Sequence, residues 1–169
     1  SGWIDTNPAR RLPRYSDKPQ QITTANEEHL GQALTICGIL SRSENPYHRR
    51  DAAIFALAAI SGARRSNIML LPLRETVKAL ETPSYDQRVG KIHKIQARGK
   101  TAVSVVFGEW HASIVRQWLE VRPTSDYNRL FVHLRPGSQG QPLEANGLGH
   151  ARKNVCKIAG VPMIRFQEL

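Results

Sequence analysis

Acidic residues are few in this sequence, cysteines fewer, and long apolar runs are missing. The two cysteines, Cys37 and Cys156, each sit in a helix-like stretch with no CxxC and no partner at ligand spacing. They read as buried thiols in a reducing compartment. The six histidines are scattered without an HxxxH pair, so neither a structural zinc nor any other cofactor is expected. No apolar run approaches the roughly 18 residues of a membrane span, and no basic-then-apolar leader opens the chain. A soluble, intracellular protein without a membrane partner is the expectation.

What is abundant is positive charge. Lys and Arg number 24 against 14 acidic residues, giving +10 and a pI near 10.2. That surplus favours a polyanionic partner. Nucleic acid is preferred to anionic lipid because no basic amphipathic helix stands out. The plain alternative is a soluble domain that is merely basic. At 169 residues, 40 % of them hydrophobic, the chain is long enough for one domain with a core.

Residues 1–21 hold three prolines, four basic residues and little apolar periodicity, and read as a linker or arm. The folded domain is expected over 22–169. Thr24 and Glu27 form a capping box for a helix through Leu30, Leu34, Cys37 and Ile39 or Leu40. Asn45-Pro46 starts a second helix, reaching about Ile60, that is apolar on every side past Asp51 and therefore central. Ser66 caps a short third helix that Pro72 ends or kinks. Over 91–107 the period changes to alternation, with Ile92 and Ile95 before Gly99-Lys100 and Val103, Val105 and Phe107 after. Two strands joined by a tight turn follow. Glu109–Val121 is an amphipathic helix facing inward through Ile114, Val115, Trp118 and Leu119. A last helix closes on Gly160, and another seems to begin at the chain's end. The expected class is mainly α with a small antiparallel β-sheet.

One stretch resists a purely structural reading. In "AAIFALAAISGARRSNIMLLPL" (52–73), nine apolar residues run into Ser61-Gly62, two arginines follow, and then a second apolar run. A guanidinium between buried segments costs several kcal/mol unless an anion pairs with it. Phosphate fits its planar fork bidentately. A solvent-facing helix end is the alternative for either arginine.

"SGARRSNIMLLPL" resembles the first conserved box of the tyrosine recombinases, the phage-integrase family, T-G-x-R-x-x-E-[IL]-x-x-L. Ser61 takes the Thr place, Gly62 the Gly and Arg64 the arginine, while Asn67 stands where Glu is usual. "RGKTAVSVVF" resembles the family's strand-turn-strand segment, with Lys100 as its lysine. "AGVPMIRFQEL" resembles the approach to the second box, with Gln167 at the His, Glu168 at the Asp and Leu169 at the Leu. On that alignment the box arginine is the residue after Leu169. "GWIDTNPA" is similar to the family's link between its DNA-clamping and catalytic domains.

The resemblance implies a DNA breaking-rejoining fold and cleavage by a tyrosine hydroxyl, through a 3′-phosphotyrosyl link and without a metal. Arg64 would be the first of two arginines that absorb charge on the phosphate oxygens. Lys100 would protonate the leaving 5′ oxygen. Gln167 replaces a histidine, and can donate a hydrogen bond but not shuttle a proton. None of Tyr15, Tyr47, Tyr85 and Tyr127 follows the second box, so no nucleophile is assigned in this chain. Arg65, Lys91, Lys94, Arg98, Arg152, Lys153 and Arg165 are the candidate contacts to double-stranded DNA. Full-length relatives of this kind recombine as homotetramers on DNA; this chain, which stops short of the nucleophile, is expected to be monomeric, inactive alone and nucleoid-associated in the cytoplasm. Two further expectations concern Arg64, placed in a concave basic site, and the 98–102 turn, poorly ordered without DNA. The rival readings are a non-catalytic DNA-binding protein derived from a recombinase and an unrelated basic helical domain that binds nucleic acid.

Overall fold

The computed structural model describes residues 26–61, 65–97, 103–144 and 146–164, without the side chains of Arg65, Ala97 and Val103. Helix α1 (Glu27–Leu40) is capped by Asn26, whose side-chain oxygen accepts the Glu28 N–H at 2.9 Å. The cap expected at Thr24 is therefore displaced by two residues; Asn26 holds the extended backbone and short acceptor that a cap requires. Helix α2 (Pro46–Ser61) starts as expected, with the Asn45 side chain accepting the Tyr47 N–H at 3.0 Å. Every residue from Arg50 to Ala58 is buried, which makes α2 the axis of the molecule.

Helix α3 (Arg65–Met69) is short, and Pro72 does not only end it. With φ −80° and ψ 139°, Pro72 is the N-cap of a further helix, α4 (Leu73–Glu81), absent from the sequence expectation. Strand β1 (Ser84–Asp86) was likewise unforeseen. It pairs antiparallel with β2 (Gly90–Ala97), which pairs antiparallel with β3 (Val103–Gly108). The sheet order is β1-β2-β3. Register places His93 opposite Phe107 and Ile95 opposite Val105, and these four residues form the buried face. Helix α5 (Glu109–Val121) buries Ile114, Val115 and Trp118, as expected from its spacing.

Helix α6 (Asn146–Ala159) ends at Gly160, whose φ is +67°. The Gly160 N–H donates to Lys157 O and the Val161 N–H to Cys156 O, the double bond of a Schellman end. Residues 161–164 are not helical, and Ile164 is buried. Both expected thiols are buried, and the fold brings them together: the Cys37 thiol is pushed up to about 12, first by burial and then by Cys156. The architecture is mainly helical with one small antiparallel sheet. No described helix is long and apolar enough to cross a membrane.

Candidate functional site

Arg64, Lys100 and Gln167 lie outside the described residues, as do Arg98, Arg165 and the side chain of Arg65. The expectations for a concave site at Arg64 and for the 98–102 turn fall there too. What the structure supplies is the frame from which those segments depart.

The segment with Arg64 leaves from α2 and rejoins the chain at α3. Beyond α3, Ile68, Met69 and Leu71 are buried, and Leu71 O accepts the Leu130 N–H at 2.8 Å. The 98–102 connection leaves from a hairpin whose base is locked. His93 is fully buried, its Nδ1 2.9 Å from Ala79 O on α4 and its Nε2 2.9 Å from Glu109 Oε2 on α5. Both partners are oxygen acceptors, so each ring nitrogen faces one of them. The ring also stacks on Phe107 at 5.5 Å, across the β2–β3 ladder. Glu109 is held below the usual carboxylate range, first by the His93 hydrogen bond and then by Arg116. One imidazole thus ties β2 to α4 and α5.

Helix α6 packs on α1, α2 and α3, whereas the hairpin strands pack on α2, α4 and α5. The shared support is α2. A polar link from Asn154 to the buried Asp51 helps set the rotation of α6 about its axis. Arg50 donates to Asp51 Oδ1 from Nε (3.1 Å) and Nη2 (2.9 Å), and Asn154 donates from Nδ2 to Asp51 Oδ2 at 2.7 Å. With Leu148, Ala151, Val155 and Cys156 turned inward, Lys153 is exposed and Arg152 is half-buried. The Arg152 Nε is closed off from solvent with no acceptor among the described residues.

Of the other candidate contacts, Lys91 and Lys94 are both exposed on β2. Three residues apart, they point to opposite faces of the sheet, so the strand does not present them together. Sequence reasoning missed His93 and the Arg50–Asp51–Asn154 link. A signal existed for His93, which shares the alternation phase of Ile95. For Asp51 the signal was its place at the edge of an apolar helix.

No protein-family model matches the chain, and no curated protein matches it in sequence. Solved structures do match. The crystal structure of XerA recombinase superposes with a TM-score of 0.61 at 15% identity, over 86% of this chain and 46% of that one. XerH site-specific recombinase in its pre-cleavage complex with difH gives 0.61 at 17% identity, over 86% of this chain and 39% of that one. Its post-cleavage complex on palindromic difH gives 0.61 at 16% identity with the same coverages, 86% and 39%. The fold is that of a tyrosine-recombinase catalytic domain. The match spans 46% of XerA and 39% of XerH, so the chain corresponds to one part of each.

Proposed function

We propose that this chain is catalytic-domain sequence of a site-specific tyrosine recombinase that cleaves and rejoins double-stranded DNA through a 3′-phosphotyrosyl intermediate. Support comes from the agreement of two independent readings: the fold is shared with recombinases over 86% of the chain, and the quoted motifs fall in order along it. Arg64 follows α2, Lys100 sits between β2 and β3, and Gln167 follows α6.

In this reading residues 1–21 link to a DNA-clamping domain and 22–169 belong to the catalytic domain. Arg64 neutralises charge on the non-bridging phosphate oxygens, which matters most where no metal shares the load. Lys100 protonates the departing 5′ oxygen. Gln167 holds a phosphate oxygen by hydrogen bond. Arg65, Lys91, Lys94, Arg98, Arg152, Lys153 and Arg165 neutralise backbone phosphates, in line with a net charge of +10. The full protein acts as a homotetramer on DNA, in the cytoplasm with the nucleoid, and this chain alone binds without cleaving.

The test is a suicide duplex nicked near the cleavage site, incubated with the full-length gene product. A covalent protein–DNA adduct is expected, and Arg64→Ala should slow its formation on the order of 10³-fold, by comparison with arginines in phosphoryl transfer. Asn67 and Gln167, both departures from the family pattern, favour a second reading as a non-catalytic DNA binder. Binding without any adduct would establish that reading instead.

A further inference from the structure

A cleft of about 420 Å³ opens where α4 meets the solvent-side residues of the sheet. Its lining includes Arg74 and Lys78 from α4 and Lys94 from β2, all exposed. Arg74 and Lys78 are four apart and so lie on one face of the helix, a like-charged pair that disfavours the helix unless an anion joins it. Among the described residues, none of the three side chains has an ion-pair or hydrogen-bond partner. A carboxylate is at hand, since Glu75 lines the same cleft. Yet Glu75 accepts from the Asn128 amide at 3.3 Å, and the Asn128 oxygen accepts the Arg74 backbone N–H at 2.9 Å. Glu75 therefore makes no ion pair with the three cations among the described residues, and the lining keeps a net positive charge.

Ser84 and Gln96 share the lining and the solvent-side face of the sheet with Lys94, as the Ser84–Ile92 register requires. They add a hydroxyl and an amide beside the cations, the neutral donors that commonly accompany phosphate contacts. Lys94 stands three residues before Ala97, where β2 enters the 98–102 connection. Three strand residues span about 10 Å, close to the axial rise of three base pairs of duplex.

We propose that Arg74, Lys78 and Lys94 form a second backbone-binding site, holding the sugar–phosphate chain of duplex DNA flanking the segment engaged at the hairpin. The inference rests on the recombinase reading above and extends the DNA footprint to α4. The cleft selects for a polyanion of regular spacing and carries no base readout, so it contributes affinity without sequence preference.

The test uses the 169-residue chain with Arg74→Gln and Lys78→Gln together, both on an exposed helix face, and measures duplex affinity across a salt series. The slope of log K against log salt should shrink by about 1.8, at 0.9 per lost phosphate contact, for any duplex sequence. A control variant, Arg42→Gln with Arg135→Gln, removes the same charge from exposed positions outside the cleft and should keep the parental slope. An unchanged slope in the cleft variant, or an equal loss in the control, would overturn the inference while leaving the recombinase reading intact. Failure of the unaltered chain to bind duplex at all would overturn both.

Discussion

Asn154 reaches from α6 to α2 and donates its amide to Asp51 Oδ2 at 2.7 Å, completing the coordination of a carboxylate that is 2 % exposed and already bound by Arg50. The two residues are 103 apart in sequence. Their bond fixes which side of α6 faces outward, and with it the directions of Arg152 and Lys153.

Removing one end of this link should be far more damaging than its small size suggests. Asp51→Ala leaves the Arg50 guanidinium buried and unpaired, and is expected to cost about 3–5 kcal/mol. Asn154→Ala leaves one carboxylate oxygen short of a donor and should cost about 1–3 kcal/mol. Urea unfolding of both variants checks the ranking. Equal losses would show that the buried ion pair contributes nothing beyond the amide.

His93→Phe keeps the ring stacked against Phe107 but strips donors from Ala79 O and Glu109. A loss of about 1–3 kcal/mol is expected for the stranded carbonyl. On the proposed recombinase reading, the variant should also slow covalent adduct formation by the full-length gene product while leaving duplex affinity within about twofold, because it loosens the base of the hairpin and touches no phosphate. Reduced affinity with normal cleavage would contradict that role.

Acid should weaken the same joint. Glu109 has a lower pKa folded than unfolded, so the stability it contributes is present above its unfolded value, about 4.3. That stability disappears as pH falls through the depressed folded value. The carboxylate is half exposed, so the effect is small. Thermal unfolding across pH 3–6 should therefore decline less steeply in Glu109→Gln than in the parent. Parallel curves would remove Glu109 from the account of acid sensitivity.

The thiols offer a probe of opening. Cys37 is pushed up to about 12 and both cysteines are buried, so the thiolate that reacts is scarce and shielded. A chromogenic disulfide reagent at pH 8 should titrate neither thiol in the native state and both after denaturation. Rapid native labelling would mean that α1 and α6 separate readily.

Legibility followed the length and periodicity of each element. Helix α2 is readable from its Asn45-Pro46 start and unbroken apolar run, α5 because its apolar residues recur on one side over three turns, and α6 because Gly160 marks its end. Helix α4 is hidden in the sequence because Pro72 reads as a terminator, though Leu73, Thr76 and Leu80 recur at helical spacing. Strand β1 could not be read at all: Ser84, Tyr85 and Asp86 have no alternation and become a strand only by pairing with β2. At the candidate site, residue types matched a motif locally, so Arg64 and Lys100 could be named. Contacts between residues distant in sequence, such as Asp51 with Asn154 or His93 with Ala79 and Glu109, leave no local pattern to find.

Helix α2 has no outside between Arg50 and Ala58, and this has a consequence for mutational tolerance. On α5, whose buried residues Ala112, Ile114, Val115 and Trp118 occupy one side, a full substitution scan should rise and fall with the turn of the helix. Across 52–58 the same scan should show no such ripple, only a flat floor where polar replacements fail in every direction. A segment of that kind drifts only among small and apolar residues, so in divergent copies of this protein it should stay recognisable by volume long after its residue identities are lost.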